Sequence, residues 1–299
     1  MDNCASIGEL AALGTAFCWT VTSMSFESAG KRIGSLSVNL IRLVMALGIL
    51  SLFCWLRRGM PLPTDASAHA WGWLALSGLV GFAIGDLCLF QAFVVVGSRI
   101  SMLLMSLVPI VSALGGWLLM DERLALLDWI GMALTVGGVT WVVAERQKDG
   151  SGRPKKLPAS GVLLGIGGAT GQAIGLVLSK YGMRDYDPFA ATQIRVMAGI
   201  VGFAVIFVFI GWWPRVIAAL RDRGAMGRTA LGATFGPFLG VSLSLVAVKH
   251  TETGVAATIM AIVPVLIILP SVWIFKERVS ARAVIGAVLA VGGVALLFL

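Results

Sequence analysis

Ten apolar stretches, each close to the length that crosses a lipid bilayer, follow one another along this chain with short polar breaks between them. A spanning helix needs about 20 consecutive apolar residues. Charged and turn-forming residues place the helices near 7–28, 35–57, 71–95, 98–120 and 124–145, then near 159–181, 187–210, 226–249, 253–275 and 279–299. Of the 299 residues, 58% are hydrophobic and 13% charged, against roughly 45–50% and 25% in a soluble domain. Lipid offers no hydrogen bonds to an exposed backbone, so such stretches must be helical. The expectation is an all-α membrane protein.

The two halves of the chain repeat one another. Residues 81–138 align without gaps on 236–293. That register sets Gly81 and Gly85 on Gly236 and Gly240, Pro109 on Pro264, Glu122-Arg123 on Glu277-Arg278, and Gly137-Gly138 on Gly292-Gly293. Earlier in each half a slightly shorter shift sets Gly14 on Gly167, Ala16 on Ala169, Trp19 on Gln172 and Arg42 on Arg195. The organisation is therefore a first five-helix repeat over 1–145, a polar connection over 146–158 and a second repeat over 159–299. Five is odd, so the second unit enters the membrane upside down relative to the first. The result is ten transmembrane helices as two inverted repeats, an arrangement common among secondary transporters.

Three features recur together in both halves: an arginine early in the second helix, a proline in the fourth, and an acidic-basic pair closing the fourth before a glycine-rich fifth. In these the chain resembles the drug/metabolite transporter superfamily, in its EamA-type branch of paired five-helix units. That resemblance implies a multi-pass protein of the bacterial inner (plasma) membrane. It further implies export of small metabolites, with amino acids, aromatic ones included, as the leading class. Orientation is left with two answers. Lys and Arg crowd the connections after the odd-numbered helices, which the positive-inside rule makes cytoplasmic, with both termini outside. Ten-helix relatives are usually drawn with both termini inside.

Candidate functional residues are those that lipid should not tolerate without a reason. Arg42 and Arg195 lie about 10 Å inside their helices at 1.5 Å per residue, deep enough either to snorkel to the interface or to face a wet cavity and attract a substrate carboxylate. Asp86 is the one acid placed deep in the hydrocarbon, a candidate for proton coupling or a partner for an arginine. Its equivalent in the second half is Val241, so any such role is asymmetric. Trp19 and Gln172 fall at the midplane, where inverted repeats place their cargo, and with Gln91, Ser242 and Ser244 they form the candidate substrate-binding set. Pro109 and Pro264 break the backbone ladder within helices and are candidates for gating or kinks. The G-x-x-x-G runs at Gly81/Gly85, Gly236/Gly240 and Gly167/Gly171/Gly175 mark either a moving helix interface or static close packing, and close packing is the favoured reading because it alone accounts for the spacing.

The four cysteines carry no C-x-x-C or metal-ligand spacing, and only two histidines are present, at His69 and His250. No P-loop, H-E-x-x-H or dinucleotide fingerprint occurs. The expectation is thus no cofactor, no metal, no catalytic residues and no enzyme activity. The net charge of +8 is dispersed among the connections rather than gathered on one basic face, so the partners expected are a small-molecule substrate and the bilayer, with no nucleic acid and a monomeric chain. Two alternatives remain beside metabolite export. One is export of cationic drugs or nucleotide sugars. A remoter one is an intramembrane lipid-modifying enzyme, which should show catalytic side chains clustered near an interface.

Overall fold

The computed structural model describes residues 2–111, 114, 126–144, 147–148, 154–155, 157–250, 256, 259–274, 276 and 279–296. Glu122, Arg123, Glu277 and Arg278 lie outside the described residues. Almost all of the rest is helical. The first repeat comprises α1 (Asp2–Ile33), α2 (Ser35–Arg58), α3 (Ala68–Gly78), α4 (Asp86–Leu104) and α5 (Leu126–Val143). The second comprises α6 (Ala159–Met183), α7 (Pro188–Ile210), the short α8 (Trp213–Ala219), α9 (Arg223–Ala233), α10 (Val241–His250), α11 (Val263–Leu266), α12 (Ile268–Ile274) and α13 (Ala281–Leu296). Between the repeats, β1 (Gln147–Lys148) and β2 (Pro154–Lys155) pair antiparallel.

Local chemistry sets the ends of these helices. Ser67 caps α3 by accepting from the Ala70 N–H, and Asp187 caps α7 with Pro188 at its first position. Gly59 and Gly211 end α2 and α7 in left-handed conformation, at φ 72° and 64°. From Ala68 to Val111 the chain is helical for 44 residues, about 66 Å if straight and twice the bilayer core. Gly97 breaks it with φ 83° and ψ 161°. Phe93 before it and Met102 after it share one buried cluster, so the break at Gly97 falls between the spans that the sequence predicts near 71–95 and 98–120, the second of which is described as helix to Val111.

The packing obeys a pseudo-twofold exchange of the halves. α1 packs on α9 and α10, and α6 packs on α3 and α4. α2 meets α7, and α5 meets α13. Gly81 and Gly85 meet Gly175 and Gly171 backbone to backbone, so that a Cβ on Gly171 would stand 2.6 Å from Gly85 Cα. In the equivalent seam Gly236 and Gly240 receive Thr22 and Trp19 instead. One seam is thus glycine on glycine, and the other is glycine on side chain.

Each half also carries a π-helix, at Leu79–Gly85 between α3 and α4 and at Thr234–Gly240 between α9 and α10. The repeat register superposes the two segments end to end. Such single-turn π segments insert one extra residue into a helix and are frequent at functional sites. Each ends one residue before the helix that succeeds it, so Asp86 opens α4 and Val241 opens α10 at equivalent points of the two halves.

Candidate functional site

The described residues line a partly open cavity between the two halves, about 1100 Å³ of space when the part open to solvent is counted. Its wall is built largely in equivalent pairs: Trp19 and Gln172, Arg42 and Arg195, Phe82 and Pro237, Asp86 and Val241, Met105 and Met260, Pro109 and Pro264. On one side only, Phe26, Phe90, Phe93 and Met102 of the first half extend it. Arg42, Asp86 and Arg195 are its only charged residues among those described.

The two arginines differ in their surroundings. Arg42, 3% exposed, forms an ion pair with Asp86 through Nη2, and its Nε donates to Asn39 Oδ1 at 3.2 Å. Three rings surround the guanidinium, with the Phe90, Phe26 and Phe82 centroids 4.4, 5.5 and 5.6 Å from Cζ. Asp86 is filled on both oxygens, since Gln172 Nε2 donates to Oδ1 at 2.6 Å. The Asp86 carbonyl accepts from Asn39 Nδ2 at 3.1 Å.

Arg195 is equally buried, at 3% exposure. Its Cζ lies 4.7 Å from the Phe82 centroid. Among the described residues it has no ion pair and its Nε has no hydrogen-bond partner. Two glycines make room for it. A Cβ on Gly78 would stand 2.2 Å from the Arg195 carbonyl oxygen, and one on Gly81 would stand 3.3 Å from Arg195 Nη2.

Of the residues singled out in the sequence, Trp19, Gln172, Arg42, Arg195, Asp86, Ser244, Pro109 and Pro264 stand in the cavity wall. Gln91 and Ser242 do not. Gln91 accepts from the Ser35 hydroxyl at 2.5 Å, tying α4 to the start of α2, and Ser242 is fully buried with its hydroxyl unpartnered. Ser244 donates to the Val241 carbonyl at 2.7 Å, a local back-bond of the kind common for helical serines. The aromatic and methionine lining of Phe26, Phe82, Phe90, Met102, Met105 and Met260 had no motif to announce it. The repeat register offered one signal, because Phe82 falls on Pro237 next to Asp86.

Each face of the molecule ties one half to the other. On the face holding the α2–α3 and α6–α7 connections, Arg57 pairs with Asp187 at 2.9 Å, Arg58 with Asp65 at 2.5 Å, and the Tyr186 hydroxyl donates to Asp65 at 2.8 Å. Burial and the Asp65 carboxylate push the Tyr186 phenol up to about 12. Burial alone would raise Asp65, but the hydrogen bond from Tyr186 and the charge of Arg58 outweigh it and hold the carboxyl below its ordinary value. On the opposite face Arg32 makes a two-pronged contact with Asp222, both distances 3.0 Å. There too Glu27, 1% exposed, accepts from the Ser98 N–H at 2.6 Å and pairs with Lys31 at 2.5 Å, which pins α1 to the Gly97 turn.

A helical membrane protein with a cavity between two inverted halves belongs to the class of membrane transporters. The model of the EamA-like transporter family matches residues 6–144 and 159–299, one match to each half. The chain belongs to that family. It is 24% identical over 289 residues to the uncharacterized transporter sll0355 of Synechocystis, covering 90% of this chain and 83% of that one. A solved crystal structure at 18% identity shares the fold, with a TM-score of 0.64 over 97% of this chain and 96% of its own.

Proposed function

We propose that this chain is a secondary transporter, gradient-driven or facilitative, that exports small organic metabolites, amino acids foremost, across a bacterial inner membrane by alternating access at the central cavity. The observation that carries this reading is the cavity wall, drawn from equivalent positions of two inverted halves. Rocking one half against the other exposes such a site to each side in turn. Trp19, Gln172, Arg42, Arg195 and Ser244 are assigned to the substrate, Asp86 to coupling, and the Pro109 and Pro264 segments to the helix movements. The cavity's aromatic and thioether surface with a few polar groups suits a small amphipathic solute.

Export of cationic drugs is the weaker reading, because the carboxylate such cargo needs is already held by Arg42 and Gln172. Nucleotide sugars, with two phosphates, ask for more free cations than Arg195 supplies. The test is saturable flux of an amino-acid panel into proteoliposomes. Replacing Trp19, Gln172 or Asp86 should lower it, and unchanged flux in all three variants would discard the assignment.

A further inference from the structure

Resting on the reading of this cavity as a metabolite site, we infer that Arg195 is its anion-binding group, and that the site selects apolar monocarboxylates by their carboxylate alone, without requiring an ammonium group.

The described wall of the cavity holds Arg42, Asp86 and Arg195, one net positive charge. Asp86 pairs with Arg42, Gln172 donates to the other Asp86 oxygen, and Asn39 accepts from Arg42 Nε. A buried guanidinium without an ion pair of its own is costly in a low-dielectric site. Arg195 is 3% exposed with its Nε unpartnered, and among the described residues the one carboxylate whose charge reaches it, Asp86, is already paired with Arg42. A carboxylate arriving from the cavity removes the cost and gains charge-assisted hydrogen bonds, for which a planar guanidinium is well matched.

The backbone around Arg195 is shaped to keep that group in place. Gly78 lets the Arg195 backbone approach α3, and Gly81 leaves the space beside Nη2. Phe82 lies under Cζ and holds the guanidinium plane. Beyond Phe82 the wall becomes Phe26, Phe90 and Phe93, an apolar compartment for the body of the ligand. Among the described residues the wall contains no acid besides the paired Asp86. The ammonium of a zwitterion finds no unpaired carboxylate there, so it adds little to binding, and neutralising it is tolerated.

L-Phenylalanine, N-acetyl-L-phenylalanine and L-phenylalaninamide separate the two ends of such a ligand. The experiment is thermal unfolding of the purified full chain in detergent with each compound, read as the concentration dependence of Tm. The amino acid and its N-acetyl form should both raise Tm, with affinities within a few fold of each other, whereas the amide should bind at least about tenfold more weakly. Arg195→Gln should lose the carboxylate-dependent shift, and Arg195→Lys should keep part of it. An amide that binds as well as the acid overturns the inference, as does an N-acetyl form that fails where the free amino acid binds. No shift from any of the three overturns it for apolar monocarboxylates. The comparison on the unaltered chain stands even if Arg195→Gln fails to fold. Failure here, with saturable flux of other solutes retained in proteoliposomes, would leave the transport reading intact, and absence of all flux would remove that reading instead.

Discussion

Arg42 and Arg195, equivalent residues of the two repeats, both lie over the ring of Phe82, at 5.6 and 4.7 Å from its centroid, yet among the described residues only Arg42 forms an ion pair with a carboxylate. The difference traces to one position: Asp86 in the first half corresponds to Val241 in the second. A near-symmetric frame thus carries an asymmetric charge pattern at its centre.

The Arg42–Asp86 pair should be coupled in stability. Removing one partner strands a buried charge and costs about 3–5 kcal/mol, while replacing both with apolar residues is often neutral. Asp86→Leu alone should therefore unfold well below the parent, and Arg42→Met combined with Asp86→Leu should regain most of the loss. Thermal unfolding in detergent across the double-mutant cycle measures this, and additive losses would count against it.

Of the three glycines spaced four apart in α6, two should be intolerant and one permissive. A Cβ on Gly171 would stand 2.6 Å from Gly85 Cα, and one on Gly175 would stand 3.1 Å from Gly81 Cα. At Gly167 the nearest atom is Cys88 Sγ at 3.4 Å, ordinary contact. Gly171→Ala should lower the yield of folded protein sharply, whereas Gly167→Ala should behave like the parent in size-exclusion profile and Tm.

Glu27 should matter more than its ion pair. Glu27→Ala leaves the Ser98 N–H, at the Gly97 turn, without its acceptor, a loss of about 1–3 kcal/mol. Glu27→Gln keeps an acceptor and should cost less. Lys31→Ala takes away the half-exposed partner of a buried carboxylate and should cost less than Glu27→Ala, because the Ser98 N–H still holds that carboxylate. The denaturant midpoint should fall furthest for Glu27→Ala.

The tie around Tyr186 predicts an alkaline signature. A phenol raised from its ordinary value near 10 to about 12 favours the folded state while protonated. Its contribution is complete below pH 10 and is lost as pH rises through about 12. Asp65, held low, contributes above its ordinary carboxyl range and loses that contribution only as pH falls through its lowered value. The chain has two tyrosines, so Tyr181→Phe isolates the second. Phenolate absorbance should then titrate near pH 12, and Asp65→Asn should bring it down.

Much of the frame was legible in the sequence because it rests on signals with a period. Apolar runs of bilayer length predict spans, and a gapless repeat of odd span number predicts inversion. Arg42, Asp86 and Gln172 stood out because lipid has no use for them. The π-helices did not. One extra residue in a single turn leaves composition unchanged, and it shifts the helical face by less than a hydrophobic pattern resolves over seven residues. The division of labour between the arginines was also out of reach, because which one meets Asp86 depends on how α4 sits relative to α2 and α7. Ser242 and Gln91 illustrate the same limit, for a polar side chain in a helix carries no mark of the direction it faces.

Both bulged turns, at Leu79–Gly85 and Thr234–Gly240, sit at one register of the duplicated unit. An antiparallel homodimer of a single five-helix chain could reproduce them both, together with the two arginines. It could not place an aspartate on one side only, since any residue it acquires appears twice. Fusing the copies into one chain lifts that restriction, and the lone Asp86 is a feature that gene duplication makes available and a homodimer cannot have.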